Sequence, residues 1–132
     1  MADAERLLAS QEGVWFGQPG VWMQLAATER DRDTLLGDCA VHVLDDVPAT
    51  AEVGVTFAPE HQGRGLASEA LAAVIGRLFE DLGLQRVYAE ADDRNAAVHR
   101  LLERLGFRCE ARRATLRVYG LLRSDWDAAR GS

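Results

Sequence analysis

Apolar and polar residues change rhythm twice along this 132-residue chain. Residues 21–28, 35–44 and 51–57 form short, partly alternating apolar runs bounded by turn residues, which predicts three strands. In the third run Val53, Val55 and Phe57 fall on one face, and Glu52, Gly54 and Thr56 on the other, as the two-residue period of a strand requires. Arg30-Asp31-Arg32-Asp33 and Asp45-Asp46-Val47-Pro48 separate the runs as polar turns, at the spacing of an antiparallel meander. From Leu66 the rhythm becomes helical: Ala70, Leu71, Val74, Ile75, Leu78, Phe79 and Leu82 share a face, and Gly83 follows as a stop. Residues 86–91 predict a strand, and 95–105 a second amphipathic helix with Asn95 as N-cap and Gly106 as its end. Strands over 107–111 and 116–122 complete the set. Ala4, Leu7 and Leu8 sit at helical spacing, so a short helix is expected over 2–11. The tail from Trp126 onward is expected to fray.

The order strand, helix, strand across 51–91 predicts a right-handed parallel crossover. Set behind a meander, it makes the fold class α+β: a mixed sheet, antiparallel first and parallel in the middle, flanked by helices. Residues 1–132 are expected to form one domain with its core over 21–126, because this length supports a single core.

Charge narrows the function. The net charge of −6 gives no basic face for DNA or RNA, and an acidic surface suits an amine-bearing partner. All fifteen basic residues are arginine, which removes Schiff-base chemistry and the phosphate-gripping lysine of a P-loop. Cys39 and Cys109 lie far apart in strand-like runs and are expected to be buried thiols. His42, His61 and His99 show no ligand spacing with either cysteine, so no metal is expected. No apolar run approaches the ~20 residues of a membrane span. The first residues lack the basic-then-apolar order of a signal peptide, so a cytoplasmic location without membrane partners is expected.

The segment Pro59-Glu60-His61-Gln62-Gly63-Arg64-Gly65-Leu66-Ala67-Ser68 joins a strand to the first turn of the long helix. Unpaired N–H groups and the dipole make that helix end favourable for anions. Gly63 and Gly65 allow close approach to a diphosphate, and Arg64 adds charge. Three phosphate cradles compete. A P-loop fails without lysine. A Rossmann fingerprint is approximated by Gly63, Gly65 and Ser68, but only one parallel unit exists, after fifty residues of meander.

The third cradle fits best. Gln62-x-x-Gly65-x-Ala67 resembles the pyrophosphate-binding signature of the GCN5-related N-acetyltransferase (GNAT) family. Glu52-Val53-Gly54-Val55 to Pro59 is similar to that family's fourth strand, and Asp92-x-x-Asn95 with Leu102 to Phe107 to a later family stretch. The ending, residues 117–126, resembles the branch that acetylates ribosomal-protein N-termini. The similarity covers about 22–126. It implies an acetyl-CoA-dependent N-acetyltransferase acting on a primary amine, of a small molecule or of a protein N-terminus. It also implies that the pantetheine arm bonds the backbone near Val55 and Phe57. Gln62, Gly63, Arg64, Gly65, Leu66, Ala67 and Ser68 would hold the pyrophosphate, with Asn95 near the cofactor. Glu52 matches the family's frequent general base, and is equally readable as a solvated strand residue. The three histidines read as structural, surface or cap residues, and Tyr88 and Tyr119 as packing.

Two departures stand out. The positions where relatives carry a proton-donating side chain hold Leu102 and Val98, which favours a rival reading: a degenerate acyl-CoA-binding domain without catalysis. The family's first strand and helix are also expected to be missing, making the fold N-terminally shortened. That would leave the strand from Val21 as an open edge. A homodimer is therefore expected; Arg112-Arg113-Ala114-Thr115, a turn lacking glycine, asparagine or proline, would allow it to form by exchange of the last strand, the alternative being a monomer with an ordinary four-residue turn.

Overall fold

A computed structural model describes residues 6–9, 18–28, 35–57 and 66–130. Seven strands form one sheet in the order β1-β2-β3-β4-β5-β7-β6. They are β1 (Arg6–Ala9), β2 (Trp22–Thr28), β3 (Leu35–Val43), β4 (Thr50–Phe57), β5 (Arg86–Asp92), β6 (Arg108–Arg113) and β7 (Leu116–Leu122), with helices α1 (Leu66–Glu80), α2 (Ala96–Arg104) and α3 (Arg123–Ala129). β2, β3 and β4 form the expected antiparallel meander, and β4 pairs with β5 in parallel.

Alternation divides the sheet into two faces. Cys39, Val41 and Val43 of β3, Ala51 and Val53 of β4, and Val87 and Ala89 of β5 are buried on one of them. Against them α1 sets Ala70, Leu71, Val74, Ile75, Leu78 and Phe79, all without solvent exposure. That stripe recurs at three- and four-residue steps, so burying it anchors the helix far more strongly than intrinsic propensity would. Leu101 and Leu102 of α2 join the same core. The opposite face carries His42, Glu52, Tyr88 and Glu90.

Several sequence expectations are corrected here. Residues 6–9 form a strand, not part of a helix, and they pair with β2 from Arg6 opposite Thr28 to Ala9 opposite Leu25. The edge of β2 is therefore covered, and a strand stands ahead of the meander where none was expected. β6 and β7 close on each other within the chain, Arg113 opposite Leu116. Ala114 takes a left-handed φ of 50° in the two-residue turn, the conformation such a tight hairpin demands. The open edge that argued for a dimer and the poor hinge that argued for strand exchange are thus both absent among the described residues. A bulge at Glu110 shifts the register between Cys109 and Ala111, which accounts for the change of parity along the two strands. Along β6 every residue is exposed, so Cys109 is an exposed thiol while Cys39 is buried. Finally, Trp126 does not fray: it is buried in α3, 6.0 Å from the ring of Phe79.

Candidate functional site

β4 and β5 share only three rungs: Thr50 with Arg86, Ala51 with Val87 and Glu52 with Tyr88. Beyond Glu52, β4 continues to Phe57 paired with β3. Beyond Tyr88, β5 continues to Asp92 paired with β7. The strands part, and a cleft of about 260 Å³ opens between them. Residues 53–56 form one wall and 89–92 the other, while Leu71, Asn95, Val98 and Leu102 close the helix side. A strand edge with no described strand opposite it offers backbone N–H and C=O groups to an extended ligand.

Asn95 Oδ1 accepts the Val98 N–H at 3.3 Å, capping α2, and the same residue lines the cleft. Val55 lines it too, and Phe57 ends β4. Leu66, Ala67 and Ser68 form the first turn of α1. Among the described residues the buried Ser68 hydroxyl has no hydrogen-bond partner. An orphaned hydroxyl in the first turn of a fifteen-residue helix lies where unpaired N–H groups and the dipole favour an anion. A narrow slot along an open strand edge, with this helix start in the same fold, fits the extended arm and diphosphate of acetyl-CoA. Gln62, Gly63, Arg64 and Gly65 lie outside the described residues.

Glu52 stands on the last shared rung, one residue before the wall of the cleft begins at Val53. Tyr88 donates its phenol proton to Glu52 Oε1 at 3.1 Å. His42 is opposite Glu52 on β3, and Trp22 is opposite His42 on β2, their rings stacked 4.8 Å apart at 29°. Burial raises the Glu52 pKa; the Tyr88 hydrogen bond lowers it, Glu90 raises it and His42 lowers it, with the net direction upward. A carboxylate moved up in this way is a stronger base than a solvated one. The Tyr88 pKa is also raised, first by burial and then by the Glu52 charge.

The sequence reading missed two polar partners. Tyr88 is not mere packing, since its hydroxyl engages Glu52. The alternation of Arg86, Tyr88 and Glu90 onto one face of β5 was the available signal. His99 is neither a surface nor a cap residue: it is buried, with Nδ1 2.9 Å from the Tyr119 hydroxyl and Nε2 3.2 Å from the Asp93 carbonyl.

The fold has counterparts in known proteins. This chain belongs to the GNAT acetyltransferase family, whose acetyltransferase (GNAT) domain model matches residues 1–108. It is 38% identical over 81 residues to the uncharacterised N-acetyltransferase YoaA of Bacillus subtilis, covering 61% of this chain and 46% of that protein. It is 32% identical over 104 residues to YdaF of the same organism, provisionally named a ribosomal N-acetyltransferase, covering 71% of this chain and 57% of YdaF. The chain thus spans about half the length of these relatives. In fold it resembles the spermidine/spermine N-acetyltransferase SpeG of Vibrio cholerae, with a TM-score of 0.73 at 21% identity over 84% of this chain and 70% of that one.

Proposed function

We propose that this protein transfers an acetyl group from acetyl-CoA to a primary amine, with Glu52 as the general base. The observation that carries the reading is the position of Glu52, a carboxylate of raised pKa on the last rung shared by β4 and β5, next to the residues 53–56 that line the cleft. Acetyl-CoA would supply a thioester whose acyl carbon passes from sulfur to nitrogen, the amine losing one proton and the thiolate gaining one. The backbone of residues 53–57 would hold the pantetheine arm, and the first turn of α1 with the segment 62–65 the diphosphate. Asn95 would orient the arm from the helix side. Glu52 would take the proton that a protonated amine must shed before it can attack, a role worth roughly 10²–10⁴-fold in rate. The acceptor is an amine of a small molecule or of a protein N-terminus, approaching from the face that carries His42 and Trp22. The acidic net charge of −6 favours approach of a cationic acceptor. A cytoplasmic site of action accords with the use of acetyl-CoA.

One observation favours the second reading, an acyl-CoA-binding domain without catalysis. Val98 and Leu102 line the cleft, and neither can donate a proton to a leaving thiolate. Thiol release from acetyl-CoA with a panel of amines separates the two. Amine-dependent release that falls by about 10²-fold in Glu52→Gln, with CoA affinity intact, supports transfer. Tight CoA binding without release for any amine supports the rival.

A further inference from the structure

Glu52 is one member of a side-chain chain that crosses four strands. Its Oε1 accepts from Tyr88 on β5. The guanidinium of Arg86, two residues earlier on the same face, lies 5.3 Å from the centre of the Tyr88 ring. Arg86 in turn pairs with Glu110 on β6. This last contact depends on two features of the edge hairpin. The bulge between Cys109 and Ala111 sets Glu110 out of the regular register. Gly120, opposite Tyr88 on one side and Arg108 on the other, leaves room for the Glu110 carboxylate, into which a β-carbon at that position would run.

We infer that Tyr88 is the positioning residue of the active site: its phenol, steadied by Arg86 and Glu110, fixes the Glu52 carboxylate through Oε1 and leaves Oε2 to take the proton. This rests on the reading of Glu52 as the base. A carboxylate on a free glutamate side chain samples several rotamers, and a displacement of about 1 Å can cost roughly 10²-fold in rate. One directed hydrogen bond removes much of that freedom and assigns the two oxygens different tasks. It also holds Glu52 within range of two other titratable groups on this face, Glu90 of β5 and His42 of β3. Those two act on its charge in opposite senses. The Tyr88 bond stabilises the ionised form, so it counters the effect of burial and keeps the base deprotonated to lower pH.

The test is Tyr88→Phe, which removes one oxygen and keeps the ring under Arg86. The Glu52 side-chain carboxyl is followed by carbon NMR through a pH titration of the unliganded protein, and turnover is measured in parallel. The expected result is an upward move of the Glu52 titration, with kcat at least about tenfold lower and KM for acetyl-CoA unchanged. The acid limb of the pH–rate profile moves up together with the NMR titration. An unchanged Glu52 titration in Tyr88→Phe overturns the inference, whatever happens to turnover. Full activity of Glu52→Gln would instead remove Glu52 as base, and the NMR titration reads the Tyr88 contact independently of that outcome.

Discussion

The Tyr119 hydroxyl and His99 Nδ1 lie 2.9 Å apart in the interior, joining β7 to α2. Tyr119 has no solvent exposure, and His99 is also tied at Nε2 to the Asp93 carbonyl. Because α2 supplies Val98 and Leu102 to the cleft, this bond fixes one of its walls. Tyr119→Phe strands a buried ring nitrogen and should destabilise the protein by about 1–3 kcal/mol. Chemical denaturation checks this; an unchanged midpoint would show that the pair contributes nothing.

Glu52 should cost the fold stability at neutral pH. Its folded pKa is raised above the unfolded value, so the folded state binds its proton more tightly, and stability from this group is lost as pH rises through the folded pKa. Glu52→Gln, which can still accept from Tyr88, should therefore be more stable than the parent at pH 7. That advantage should shrink as pH falls below the usual carboxylate range. Urea midpoints at both ends of the range decide the matter, and a destabilised mutant at pH 7 would refute it.

The two thiols should behave differently. Burial, then the neighbouring Asp38 charge, pushes the Cys39 pKa up to about 12, whereas Cys109 lies exposed on β6. Since the thiolate is the reactive form, a disulfide reagent should modify one cysteine rapidly in the native protein and both after denaturation. Two fast native reactions would contradict the burial of Cys39.

Gly120→Ala probes the chain from Glu110 to Tyr88 at a distance. The atoms nearest the new methyl belong to the end of the flexible, partly exposed Glu110 side chain, which can swing aside. The stability change should stay within about 1 kcal/mol, while turnover falls because Arg86 loses its partner. A stable variant with parental kcat would cut Glu110 and Arg86 out of the device.

Local signals carried much of the fold. The α1 stripe, the Asn95 cap and the turn over 45–48 are set by residues close in sequence, and each appears where its pattern places it; the turn expected over 30–33 lies outside the described residues. The failures are nonlocal. Four residues, Arg6 to Ala9, are too few for helix and strand periods to differ, and only pairing with β2 decides between them. The apolar alternation of β6 suggested a buried strand, but a bulge at Glu110 and an edge position expose it. α3 depends on Trp126 reaching Phe79. At the site, alternation placed Glu52 on the face away from α1. The cleft itself was illegible, because it exists only through β4 and β5 parting after three rungs. Tyr88 was misread for the same reason: its partner is set by register between strands.

The central claim is that the parting of β4 and β5 is the acetyl-CoA site. The most direct measurement is a titration of the isotope-labelled protein with CoA, following backbone amide shifts. The largest saturable shifts are expected at residues 53–57 and 89–92 and at Ser68, with those near Trp126 and Arg130 little moved. Shifts centred on the surface groove between α1 and α3, where Arg77, Trp126 and Arg130 lie, or no saturable shift at millimolar CoA, would contradict it.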